Sequence, residues 1–391
     1  MGHTVRIIGA DFSHLRKQNP SIQKDFEIQT IDGVEFQWIK TGTYEGNGLR
    51  RAITMLQFCS KLWMYAGRLA KAFKPDAVIA SSTYPLDTFP ARRIARLAKG
   101  RLVHEAHDLW PLTLTELSGL HPAHPFVKLL GFAEKQAYAK ADAVVSILPS
   151  ALPHMLCHGL DKEQKFVHIP NGVAVEDWVH GEPLGAEHQS VFHFLHAQGK
   201  QIVCYLGGHA ISNALDTLLD AACEMQGEKD IAFVLVGNGT EKERLVEHAE
   251  HQKLRNVVFL PPVSKKQVPA LLKEADMLYI GASPCSLYRY GVSMNKLYDY
   301  MMAEKPILNG VEAANNDVEA AQAGISFAAG NALALAEAIR TLARLPQAER
   351  QAMGRRGRDW VLANCTYDTL AKQFLSVLEK DSHFIAMSST L

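Results

Sequence analysis

The stretch that decides the fold runs from Ile202-Val-Cys-Tyr-Leu206, through Gly207-Gly208-His209 and a helical run over Ala214 to Met225, to Ala232-Phe-Val-Leu-Val236 and Gly237-Asn238-Gly239. Each five-residue apolar run has the length of a buried strand, and the helical run between them is the crossover that parallel strands require. Downstream, the same alternation gives strands at Val257 to Leu260, Met277 to Ile280 and Pro306 to Leu308, with helices at Glu241 to His251 and Lys266 to Glu274. Upstream, Val5 to Ile8, Ala77 to Ala80, Arg101 to Glu105 and Ala143 to Ile147 read as strands, separated by helices over Ile53 to Phe73, Ala91 to Ala98 and Pro125 to Ala139. The class is α/β, with two Rossmann-like parallel-sheet domains facing a cleft and ligands expected at the carboxyl ends of strands. Between the two series, Ile169-Pro-Asn-Gly-Val173 and the polar stretch to Gln201 show neither period and read as a linker.

Small residues after a strand let a phosphate approach the backbone, and they equally suit a plain turn. Gly207, Gly208 and His209 stand in that position after one strand, and Gly237, Asn238 and Gly239 after the next. Neither is a GxGxxG fingerprint, and no GxxxxGK[ST] occurs, so dinucleotide and P-loop readings lose their main support. Phe259-Leu-Pro-Pro-Val263 ends a third strand, where its prolines either wall a planar base or simply stop the strand.

Gly291-Val-Ser-Met-Asn-Lys-Leu-Tyr-Asp-Tyr-Met-Met-Ala-Glu-Lys-Pro306 combines a helix start, a cation and a carboxylate. Ser293 is the expected N-cap of a helix over Met294 to Ala303, which leaves the first amides free for an anion. Lys296 adds a full charge in the first turn, and Asp299, one turn deeper, suits ribose hydroxyls. An ordinary amphipathic helix fits the same residues.

Lys plus Arg equals Asp plus Glu at 41 each in 391 residues, so no global field favours nucleic acid. The six cysteines are scattered without a CxxC pair, which argues against a zinc or disulfide framework. No apolar run reaches spanning length and the amino terminus lacks a signal pattern. The expected location is cytoplasmic, soluble or held at a membrane face. His104-Glu105-Ala106-His107-Asp108-Leu109-Trp110-Pro111 follows a strand and places polar groups toward a substrate. His104 and His107 lack the i, i+4 spacing of a helical metal pair, so no metal is expected there. A buried, satisfied role remains open for His104.

In this order, the motifs resemble family 4 retaining glycosyltransferases of the GT-B fold. Gly46 to Phe58, His104 to Leu114 and Ser293 to Lys305 look like a bacterial O-antigen and exopolysaccharide subgroup that includes N-acetyl-L-fucosamine transferases. Pro170-Asn-Gly-Val173 matches the family's linker motif, and Gly237-Asn-Gly239 its base-proximal loop. The resemblance implies residues 1–180 as an acceptor-side domain, with a C-terminal helix of about 358–380 packing back on it. It implies residues 181–357 as the nucleotide-sugar-binding domain and 381–391 as a frayed tail.

The family pairs two glutamates with seven residues between them. Alignment on Lys305-Pro306 places Asp299 at the second, with a ribose-binding role, and Gly291 at the first. Donor-sugar contacts then fall to the backbone amides of Gly291, Val292, Ser293 and Met294. The Arg and Lys that clamp the diphosphate in the family are Gly208 and Asn213 here, so Lys296, then Arg289, is expected to replace them, and His209 to add one donor. His107 matches the histidine beside the donor sugar, and Asp108 is the acceptor-side candidate; with Lys296 these are the expected catalytic residues. Gly207, Gly208, His209, Gly237, Asn238, Gly239, Val263, Arg289, Gly291, Val292, Ser293, Met294 and Asp299 are the expected donor-binding set.

The implied reaction is metal-independent retaining transfer, with a nucleotide sugar as co-substrate and no other cofactor. The donor expected is a UDP-linked N-acetylhexosamine or 6-deoxyhexosamine, and the acceptor a lipid-linked glycan. Arg92, Arg93, Arg96, Lys99 and Arg101 with Leu62-Trp63-Met64-Tyr65 suit an anionic membrane face, or equally a solvated helix face over packed core. A non-catalytic GT-B partner or regulator that binds nucleotide, and a GT-B nucleotide-sugar epimerase, are the other readings that the missing acid and clamp leave open.

Overall fold

The computed structural model describes residues 2–379 except 15, 17 and 47; the tail expected over 381–391 lies outside the described residues. The chain divides into two compact units, residues 1–146, 152–167 and 377–391 in the first, and 147–151 and 168–376 in the second. Of the C-terminal segment expected to pack on the first domain, residues up to Ser376 belong to the second unit.

In the first unit, β1 (Arg6–Ala10) pairs parallel with β3 (Val34–Ile39), which pairs antiparallel with β2 (Glu27–Ile31). A second sheet has the order β4 (Ala77–Ala80), β5 (Arg101–Ala106), β6 (Ala143–Ser146) and β7 (Phe166–His168). Helices α1 (Leu49–Phe73), α2 (Thr88–Ala98), α3 (Leu112–Leu117), α4 (Pro125–Lys140) and α5 (Leu152–Cys157) accompany these strands. Phe58, Leu62, Ala66 and Leu69 form the inward stripe of α1, at helical spacing, and pack on Ile39 and Ile94.

The second unit holds α6 (Val175–Val179) and α7 (Ala186–Ala197), then a six-stranded sheet: β8 (Gln201–Leu206), β9 (Ile231–Val236), β10 (Val257–Leu260), β11 (Met277–Gly281), β12 (Ile307–Gly310) and β13 (Gly324–Ser326). All of its pairings are parallel, in the order β10-β9-β8-β11-β12-β13. Helices α8 (Leu215–Glu224), α9 (Lys242–His251), α10 (Val268–Glu274) and α11 (Asn295–Met302) are crossovers. Every residue of β9 and β11 is buried, as expected of strands covered on both faces. The strand order reverses between β8 and β11, the switch point at which ligands of such sheets sit; the loops leaving these two strands touch there, with Ser283 N donating to the Ser212 carbonyl at 3.1 Å.

The linker reading of residues 169–201 is corrected by two features. Val173 exchanges backbone hydrogen bonds with Cys365 and Tyr367, at 2.9 and 3.2 Å, and is buried. The stretch beyond it contains α7, whose Phe192 and Leu195 enter the core of the second unit. Its three histidines dilute the apolar period, and burial of two large side chains supplies what propensity does not.

Candidate functional site

Two glycine loops meet at the switch point of the second sheet. A Cβ on Gly237 would stand 1.9 Å from the Gly207 carbonyl oxygen, and one on Gly239 would stand 2.2 Å from that of His209. Only glycine permits this approach, and backbone bonds secure it: His209 N donates to the Asn238 carbonyl at 2.9 Å, and Glu241 N to the His209 carbonyl at 3.0 Å. Gly208, Asn238 and Gly239 remain exposed on the rim. The His209 imidazole is sealed beneath it, with neither ring nitrogen hydrogen-bonded. Burial, and secondarily Lys242, lowers its pKa to about 4, so the ring is neutral at pH 7. As placed, His209 offers a ligand its loop and not its imidazole.

Lys296 reaches this loop from the first turn of α11. Its ammonium donates to the Tyr205 hydroxyl at 3.1 Å and to Asn213 Oδ1, and lies 4.9 Å from the centre of the Tyr205 ring. Asn213 in turn donates to the Gly208 carbonyl at 2.9 Å. None of these partners carries charge. Burial lowers the Lys296 pKa to about 8, the signature of a cation desolvated without a counter-ion.

The remainder of the segment is tied down. Ser293 is not the N-cap; Met294 holds that place, and α11 has no side-chain cap. Instead Ser293 Oγ accepts from Asn171 N at 2.8 Å, while Asn171 Nδ2 donates to the Ser293 carbonyl at 2.7 Å. A tertiary contact thus replaces the local one. The expectation of four free amides is also corrected: Gly291 N donates to the Tyr288 carbonyl and Val292 N to Asn315 Oδ1. The amides of Ser293 and Met294 are the two in this stretch without a partner among the described residues. Val292 and Met294 line a cavity of about 20 Å³ with Asn309, Asn315, Asn316 and Asp317.

Gly291 has φ +92°, and a Cβ there would lie 2.5 Å from Pro149 Cδ. Pro149 therefore occupies the space that an acidic side chain would need. Asp299 is half-buried, its carboxyl pKa raised by burial and partly restored by the Trp178 indole that hydrogen-bonds it. The Arg289 guanidinium bonds the Ser286 carbonyl at 2.7 Å and lies over Tyr290. Val263 packs half-buried against the core beyond β10.

In the first unit, the register that pairs Ala80 with His104 sets Ser81 beside Glu105. Ser81 Oγ donates to Glu105 Oε2 at 2.5 Å and meets His107 Nε2 at 3.1 Å, and His107 Nε2 lies 3.6 Å from the same carboxylate oxygen. Ser and carboxylate share one imidazole nitrogen, so this is a hydrogen-bonded cluster and not a nucleophilic triad. Asp108 is exposed as a residue, although burial around its carboxyl raises its pKa and His107 counters that. His104 is buried against Thr88 Oγ1 at 3.2 Å, with its pKa lowered to about 4 by burial. Ser81 carried a signal that went unused, since it directly follows a strand of the same parallel sheet.

Two family models divide the chain between them: "Glycosyl transferase 4-like domain" over residues 1–172 and "Glycosyl transferases group 1" over residues 188–360. The chain is a GT-B glycosyltransferase. It is 25% identical over 281 residues, 70% of this chain and 68% of the relative, to the putative colanic acid biosynthesis glycosyl transferase WcaI of Escherichia coli (strain K12). Among solved structures, sucrose-phosphate synthase from Thermosynechococcus elongatus matches with TM-score 0.66 and 17% identity, covering 93% of this chain and 86% of that one. Anabaena Alr3699/HepE in complex with UDP and glucose matches with TM-score 0.63 and 14% identity, over 88% and 86%. WaaG, a glycosyltransferase involved in lipopolysaccharide biosynthesis, gives 0.62 and 14%, over 91% and 89%.

Introducing at position 291 the acid that the resemblance leads one to expect should not improve this enzyme. Gly291→Glu must leave a left-handed backbone and displace Pro149, at a cost of about 1–3 kcal/mol for the backbone alone. The expected result is a lower melting temperature and reduced transfer; a variant as stable as wild type, and more active, would contradict the packing described.

Proposed function

We propose that this glycosyltransferase moves a sugar, with retention, from a UDP-linked N-acetylhexosamine or 6-deoxyhexosamine to a lipid-linked glycan acceptor in surface polysaccharide synthesis. The subgroup is that of the O-antigen and exopolysaccharide enzymes, with N-acetyl-L-fucosamine transferases among them. The colanic acid relative and the UDP and glucose bound to Anabaena HepE support the donor class and the pathway class. The observation that carries the reading is Lys296: a desolvated ammonium at the strand-order reversal, held only by neutral groups, beside glycine loops that a phosphate can approach.

In this reading the Lys296 ammonium and the amides of Ser293 and Met294 bind the diphosphate, Asp299 the ribose, and the Gly237-Asn238-Gly239 rim and Val263 the base. Arg289 lies outside that first contact. The bond from the anomeric carbon to the diphosphate oxygen breaks as the acceptor oxygen bonds the same face, and the acceptor proton passes to the departing phosphate oxygen. UDP leaves with the charge that Lys296 offsets. His107, positioned by Ser81 and Glu105, hydrogen-bonds the transferred sugar, and Asp108 the acceptor. The nucleotide sugar is the co-substrate, and the protein needs no metal or other cofactor for the chemistry.

For the acceptor, the exposed face of α1 carries Leu49, Leu56, Trp63 and Met64, and Arg93 lies 4.7 Å over the Trp63 ring. Arg96 and Lys99 are exposed nearby in sequence, whereas Leu62 packs inward and Arg101 is drawn to the Glu379 carbonyl. An apolar stripe with basic neighbours favours an anionic lipid face. Among the described residues no helix is long and apolar enough to cross a membrane.

Lys296→Ala is expected to fold normally and lose about 10²–10³ in kcat; transfer near the wild-type rate would refute the role of Lys296. In the wild type, the rise in melting temperature with UDP should shrink as pH increases from 7 to 9. A lysine of pKa about 8 loses its charge across that interval, and a flat profile would argue against a charged contact. Arg93→Ala/Arg96→Ala should reduce partition onto anionic vesicles by about 30-fold, at roughly 1 kcal/mol per basic residue; unchanged co-sedimentation would remove this face from the membrane reading.

A further inference from the structure

We propose that Glu134, His154 and His158 of the first unit form a zinc site that clips α5 to α4. One ligand atom from each of the three residues lies within 4.8 Å of the others. His154 Nε2 is 2.9 Å from Glu134 Oε1, close to the roughly 3.4 Å that separates two ligands of a tetrahedral zinc ion with bonds of about 2.1 Å. Glu134 and His154 are buried, with 2% and 8% of their surface exposed, while His158 is exposed. The ion would therefore be gripped from inside and reached from solvent.

The residues behind the ligands are arranged as metal sites require. His158 Nδ1 faces the His154 carbonyl oxygen at 2.8 Å, so Nδ1 carries the proton and Nε2 presents its lone pair. The Tyr138 hydroxyl donates to Glu134 Oε1 at 3.2 Å, fixing the carboxylate. A buried Glu-His pair needs no second imidazole; yet His158, one turn on from His154, stacks on it with ring centres 4.0 Å apart. Closing on the ion requires the two rings to tilt from this stack toward a common point. The ion replaces the hydrogen shared by His154 and Glu134, which is released to solvent. Two imidazoles and one carboxylate are a zinc-type donor set, with the fourth position left to water. None of the three ligands is a group assigned above to transfer, although Glu134 lines a small cavity together with Asp108.

The test uses the full chain, stripped with chelator and titrated with zinc alone by calorimetry and thermal shift, with cobalt(II) as a spectroscopic substitute. One equivalent should bind, raise the melting temperature, and give tetrahedral cobalt bands without thiolate charge transfer. His158→Ala, a change on the surface, should keep the melting temperature of the zinc-free protein and lose the zinc-induced rise. Tyr138→Phe should weaken binding by about 10–100-fold, and Cys157→Ser should bind as wild type. Failure to bind one equivalent, binding unchanged in His158→Ala, or binding lost in Cys157→Ser would each overturn the site.

Discussion

The loop after β8 is packed against a desolvated charge, the ammonium of Lys296. Its stem rises from the first turn of α11, its head rests on the Tyr205 ring, and Asn213 orients it. Desolvation without a carboxylate partner is costly. On the proposed function, the diphosphate of the donor would bring the opposite charge. Gly207 is part of the same geometry: a Cβ there would come within 3.5 Å of the ammonium and 2.9 Å of the Tyr205 hydroxyl, narrowing the space that a phosphate needs.

Around that charge the backbone is fixed by exclusion of side chains. Gly207 with Gly237, and His209 with Gly239, approach closely enough to interlock the loops after β8 and β9. Pro149 fills the place beside Gly291, and Asn315 and Asn171 bond the next residues. The rim is thereby preorganised, so that binding does not have to order it first. An acidic side chain at position 291, which the resemblance leads one to expect, is excluded by packing.

Much of this was legible in the chain. Parallel strands buried on both faces announce themselves as apolar runs, and β8, β9, β10 and β11 fall within a residue of where periodicity places them. The β2–β3 hairpin was missed because β2 is largely exposed and its alternation weak, although Asp32-Gly33 between the strands is a turn signal, with φ of +50° and +81°. Contacts between distant residues were not legible. Ser293 has the chemistry of a cap but is claimed by Asn171, 122 positions away. Ser81 meets Glu105 through sheet register. By contrast, Lys296 could be singled out from sequence, because the resemblance expects Arg and Lys at positions 208 and 213 that this chain lacks; only the structure sets its ammonium against Asn213.

That adjacency permits a direct test by moving the charge. Lys296→Met should abolish most of the stabilisation by UDP, and adding Asn213→Lys to the same protein should return a cation to the same place. The expected measurement is a UDP dissociation constant that weakens in the single variant and recovers most of that loss in the double variant. A double variant that binds UDP no better than Lys296→Met, while folding as stably, would contradict the assignment of Lys296 as the relocated diphosphate cation.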